Sequence, residues 1–169
     1  MNKRAILTLA LLSLMSLGTA AQAKNERILA FHTMTGVDGP FLGETNAIRG
    51  VVGDEDPWVV ASAHGTLDSN GHLKIEVKGL IFAPGVPVKG GTNDETEFRA
   101  IVSCLTTAGT SVITMNVTTE GFPATIPSGD SHIDTTIDLP SPCVAPIIFV
   151  IAGSEDKWFT VTGFGSEAD

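Results

Sequence analysis

The chain of 169 residues has no tyrosine, only two cysteines and, beyond residue 23, no long apolar run. Each shortage excludes something. A helix needs roughly 20 apolar residues to cross a bilayer, and the body of the chain offers no such stretch. Two cysteines with no nearby histidine lack the close Cys/His spacing of a structural zinc site. Basic residues are few, 10 Lys and Arg against 19 Asp and Glu. Such an acidic excess repels phosphate backbones and anionic head groups, which argues against nucleic acid and membrane partners. Neither a G-x-S-x-G nucleophile elbow nor a phosphate-binding glycine loop leading into a helix occurs. Helical periodicity is missing as well: 18 Gly and 9 Pro punctuate the chain, and no segment after residue 23 sustains a 3.6-residue period.

What is present starts at the N-terminus. Lys3 and Arg4 precede an apolar run over 5–17 and the small-residue site Ala21-Gln22-Ala23. This reads as a secretory signal peptide over residues 1–23, cleaved before Lys24. The run is short for an uncleaved anchor, and no cysteine stands at the cleavage point to take a lipid. Removal of the segment takes Lys3 and Arg4 with it, leaving 146 residues with 8 basic against 19 acidic side chains, a formal charge of −11. That length suits one domain over 24–169 with its own core and a short disordered tail at 166–169. The expected destination is the bacterial periplasm or the medium. In that oxidising compartment Cys104 and Cys143 are expected to form a disulfide.

Alternation supplies the fold. Over 72–82, Leu73, Ile75 and Val77 face one way while His72, Lys74, Glu76 and Lys78 face the other. A three-residue loop at Ser69-Asn70-Gly71, with Gly71 left-handed, pairs Leu67 with Leu73 and His64 with Glu76 and keeps both faces consistent. A two-residue turn at Ala108-Gly109 pairs Cys104 with Ile113 and Val102 with Met115, which makes Cys104 core-facing. Residues 131–139 alternate again, with Ile133, Ile137 and Leu139 inside and His132, Asp134 and Asp138 outside. The apolar run 144–151 reads as a strand buried on both sides, and 27–34, 47–52, 58–67 and 158–164 are further strand candidates. About eight or nine strands separated by turns predict an all-β fold, an antiparallel two-sheet β-sandwich with Greek-key or jelly-roll connections. A closed β-barrel is the alternative.

Candidate chemistry is sparse. The loop 90–97 offers the amide of Asn93 and the carboxylates of Asp94, Glu95 and Glu97, an oxygen-rich set suited to calcium, although the spacing matches no EF-hand and a solvated acidic turn competes with it. His132 and Asp134 share the solvent face of one strand and would hold zinc or copper only with a third ligand from a neighbouring strand. His64 opposite Glu76 reads as a cross-strand pair, and nothing in the sequence brings His32 or His72 near either group. Trp58 and Trp158 are candidates for a carbohydrate-stacking platform, and Trp58 falls on the polar face in the chosen register; packing beneath a loop is the competing reading.

These features predict a secreted, soluble, non-enzymatic β-sandwich that binds a protein or carbohydrate partner through its end loops at 37–46, 89–97 and 120–130. No cofactor is expected beyond calcium at the acidic loop. Two alternatives stand beside this reading. One is a metal-assisted hydrolase using His132, Asp134 or the loop around Asp94. The other is a structural subunit that assembles through an edge strand at 27–34.

Overall fold

A computed structural model describes residues 25–163. The segment 1–23, expected from the sequence to be a signal peptide, and the tail 166–169 lie outside the described residues. The chain begins with β1 (Arg27–Phe31) and β2 (Met34–Gly36), then two 3₁₀ turns at Gly39–Phe41 and Gly43–Asn46. Short strands β3 (Val52–Gly53) and β4 (Trp58–Val59) lead to the hairpin of β5 (Ser62–Asp68) and β6 (His72–Lys78), followed by β7 (Ile81–Phe82). The long hairpin of β8 (Glu97–Ala108) and β9 (Ser111–Thr118) comes next. After β10 (Phe122–Pro123) and β11 (Ser131–Thr136), the chain ends in β12 (Val144–Ala152) and β13 (Lys157–Thr162). No α-helix occurs among the described residues, and none there is long and apolar enough to cross a membrane.

The strands form two packed sheets, as the alternation predicts, and neither closes into a barrel. One sheet has four strands in the order β1-β5-β6-β11. The other has seven: β10-β8-β12-β13-β2, with β9 on β8 and β3 on β13. All pairings are antiparallel except the short parallel contact of β3 with β13. A two-stranded β4-β7 ribbon stands apart from both.

The first hairpin has the register read from the sequence, with Leu67 opposite Leu73 and His64 opposite Glu76. Gly71 is left-handed at φ 85°, and a Cβ there would lie 1.9 Å from the Ile137 carbonyl oxygen, so glycine is required by both conformation and space. Leu73, Ile75 and Val77 are fully buried. The second hairpin corrects the sequence reading. Its turn is Gly109-Thr110, with Ala108 opposite Ser111, Cys104 opposite Met115 and Val102 opposite Val117. Gly109 at φ 60° takes the first central position, where this tight turn requires a positive φ. Cys104 is buried as expected, but Met115 opposite it and Ile113 opposite Thr106 are exposed.

Several predicted strands are cut. The run 27–34 breaks at His32-Thr33 and divides between the two sheets, 58–67 breaks into β4 and β5, and 72–82 turns at Gly79. The segment 47–52 contributes an Ile48–Val51 bridge before β3. The run 144–151 is buried only from Ile148 onward, whereas Val144 is 52% exposed because the ladder to β8 is irregular between Val144 and Ile147.

Both faces of the seven-stranded sheet are covered. Trp158 and Phe159 are adjacent in β13 yet enter different clusters. Phe159 stacks on Trp58 at a centroid distance of 3.8 Å and meets Phe98 edge-on. Trp158 packs with Phe149 and with Phe41 from the first 3₁₀ turn, at 6.0 and 6.4 Å, so the loop 37–46 serves as a lid on the outer face. The expected disulfide is present: Cys104 in β8 joins Cys143, which immediately precedes β12, with the Cα atoms 5.0 Å apart. It fits a compartment outside the reducing cytoplasm.

Candidate functional site

Alternation on the four-stranded sheet turns Ala63, Leu67, Leu73, Ile75, Val77 and Ile133 inward, and so turns their sequence neighbours toward solvent. The neighbours carry chemistry. Glu76 on the middle strand β6 has His64 of β5 on one side and His132 of β11 on the other as its cross-strand partners. His132 Nδ1 lies 2.6 Å from Glu76 Oε1. One step along the same face, Lys74 stands between Thr66 and Asp134 in register, with Lys74 Nζ 2.9 Å from Asp134 Oδ2. The other oxygen of Asp134 lies 2.9 Å from His72 Nε2. Lys74 first, and His72 after it, hold the Asp134 carboxyl below its ordinary range. This row of groups rims an open cleft of about 360 Å³, lined by Arg27, Ala30, Phe31, His32, His64, Gly65, Thr66, Lys74, Glu76 and His132.

Three of the four histidines thus line one cleft, and the fourth, His72, reaches its rim through Asp134. Sequence reasoning found His64 with Glu76 and found His132 with Asp134, but left His32 and His72 isolated. The missing signal was long-range pairing: β1 lies against β5 with Phe31 opposite Gly65, which brings His32 at its end to His64. Local alternation cannot supply that pairing.

The remaining sequence candidates fall elsewhere. Both tryptophans are about 2% exposed, so Trp58 and Trp158 are core residues and form no stacking platform. Trp58 was read on the polar face of a single strand 58–67; the break before β5 frees it to turn inward onto Phe82 and Phe159. Asn93 is buried, and its amide is consumed by structure: Nδ2 donates to the carbonyls of Glu95 and Thr125 at 2.7 and 3.1 Å, and Oδ1 accepts from the Glu95 N–H. Asp94 is paired with Lys89 at 2.9 Å, which holds the Lys89 ammonium above its ordinary range. Burial, and then the charge of Asp94, push the Glu95 carboxyl up, while Glu97 begins β8 and is exposed. The acidic turn 54–56 has similar contrasts: burial raises Asp54, and the Lys157 ammonium, 2.7 Å away, lowers Glu55. No group of three or more His, Cys, Asp or Glu side chains arranged to hold a metal ion occurs among the described residues.

The cleft can hydrogen-bond but does not exclude water. His132 and Glu76 side chains are 54% and 40% exposed, so their contact sits in high dielectric. Arg27 and Lys74 donate, Glu76 accepts, and each imidazole can do either. No family model matches the chain, and no curated protein or solved structure matches it.

Proposed function

We propose that the chain is an exported, non-enzymatic binding domain that takes a neutral, polyhydroxylated ligand, a carbohydrate, on the outer face of the four-stranded sheet. The reading places the binding surface on a sheet face instead of the end loops. The observation that carries it is the convergence of His32, His64, His132 and Glu76 with Arg27 and Lys74 around one cleft. Its formal charges balance in number, with Arg27, Lys74 and Glu76 lining the cleft and Asp134 bound to Lys74 at the rim. A balanced site has little pull on an ion. Its mixture of donors and acceptors instead matches sugar hydroxyls, which donate and accept at once. The volume of about 360 Å³ falls within the ~300–1,000 Å³ of small-molecule sites, and the exposed Ala30 supplies an apolar patch beside the buried Phe31. The exposure of the His132–Glu76 pair favours binding over catalysis, since catalytic acids and bases gain from water-excluded surroundings.

A glycan array probed with the mature, oxidised protein tests the reading. The expected result is binding to a restricted set of glycans that is lost in Glu76→Gln and His64→Ala. Absence of binding to every glycan, or binding that both variants retain, overturns it.

A further inference from the structure

All four histidines of the chain gather on the outer face of one sheet, and two of them, His72 and His132, are held between carboxylates. His132 has Glu76 Oε1 2.6 Å from its Nδ1 and Asp134 Oδ2 3.8 Å from its Nε2. His72 has Asp134 Oδ1 2.9 Å from its Nε2 and Asp68 Oδ2 4.0 Å from its Nδ1. Acid and imidazole thus alternate across three strands, from Asp68 of β5 through His72, Asp134 and His132 to Glu76 of β6.

A neutral imidazole carries one N–H and one lone pair. Between two carboxylates it donates to one of them, and its lone pair faces the other. The imidazolium donates from both nitrogens, so uptake of a proton by each ring closes the chain. A closed chain occupies oxygens of Glu76 and Asp134 and removes the lone pairs of both rings. Those are acceptors that sugar hydroxyls need.

We infer that protons and ligand compete for the cleft, which binds its carbohydrate when His72 and His132 are neutral and releases it when acid closes the chain. The inference rests on the carbohydrate reading of the cleft and adds its regulation. Imidazole suits the task, since its charge changes between about pH 5 and pH 8. The cations nearest the chain have anions of their own: Lys74 lies 2.9 Å from Asp134, and Lys78 lies 3.9 Å from Asp130. Across the cleft stand His64, opposite Glu76, and His32 and Arg27 from β1. Protonation of His32 and His64 acts in the same direction, because it takes two further acceptor nitrogens from the wall.

Calorimetric titration of the mature, oxidised protein with an uncharged glycan selected on the array, at about pH 8 and about pH 5, tests the inference. An uncharged glycan leaves the titrating groups on the protein. Affinity is expected to fall about fivefold or more in acid. Binding midway between is expected to release protons, so that the measured heat varies with the ionisation enthalpy of the buffer. Asp134→Asn takes the shared carboxylate out of the chain and is expected to flatten the dependence, with tryptophan emission native at both pH values. Equal affinity at both, binding without proton release, or a fall that Asp134→Asn leaves intact overturns the competition and spares the carbohydrate reading. No binding of any uncharged glycan at the higher pH overturns that reading and the competition with it.

Discussion

His132 Nδ1 stands 2.6 Å from Glu76 Oε1 across the β11–β6 ladder, while His64 faces the same glutamate from β5, so one carboxylate lies between two imidazoles. Nothing apolar depends on it. Glu76→Gln is therefore expected to change stability by no more than about 0.5 kcal/mol in urea unfolding while removing ligand binding. A loss of several kcal/mol would show that the row of polar groups holds the sheet together and is not reserved for a ligand.

With no tyrosine in the chain, intrinsic emission reports on Trp58 and Trp158. Both are buried, so native fluorescence is expected to be blue-shifted and poorly quenched by acrylamide, and to shift red on unfolding. Trp58→Ala removes the ring stacked on Phe159 and Phe82 and should cost about 3–5 kcal/mol. Strong native quenching would place the indoles on the surface.

The Cys104–Cys143 bridge closes a loop with a sequence separation of 39. Chain entropy assigns it about 3–4 kcal/mol, so the double substitution Cys104→Ala/Cys143→Ala should lower the urea midpoint, with a slope no smaller than the parent's because the released unfolded chain exposes more surface. An unchanged midpoint would mean that β8 and β12 hold their alignment without the bridge.

Burial raises the Asp54 carboxyl above its ordinary 3.8. The folded state then holds that proton more tightly than the unfolded chain does, so Asp54 costs stability progressively as pH climbs from the unfolded value through the raised folded one. Asp54→Asn keeps an oxygen to accept the Asp56 N–H, at 2.9 Å in the native protein, and removes the charge. Its melting temperature should exceed the parent's at neutral pH and converge with it below pH 3.8. Asp134, lowered by Lys74 and His72, has the opposite sign: its contribution is present above its unfolded value and fades in acid. A variant less stable than the parent at neutral pH would contradict the assignment for Asp54.

The hairpin β5–β6 was legible because a Gly-containing turn and strict alternation fix one register; a one-residue slip would put His64 among apolar residues. The hairpin β8–β9 was legible only to within two residues. A two-residue slip preserves every face, so pattern alone does not distinguish Cys104 opposite Ile113 from Cys104 opposite Met115. Trp58 was misplaced because faces propagate only along an unbroken strand, and the backbone turns between Val59 and Ser62. The histidine cleft was half visible. Its local pair, His64 with Glu76, follows from one hairpin, but His32 and His132 join through pairings to strands distant in the chain, which alternation does not specify.

The most direct measurement is a ¹⁵N–¹H correlation titration of the mature protein with a glycan selected on the array. Binding in the cleft predicts shift changes concentrated at His32, His64, Gly65, Glu76 and His132, with the loops 37–46, 89–97 and 120–130 unmoved. Changes confined to those loops, with the sheet face silent, would contradict the account and return the binding surface to the ends of the sandwich.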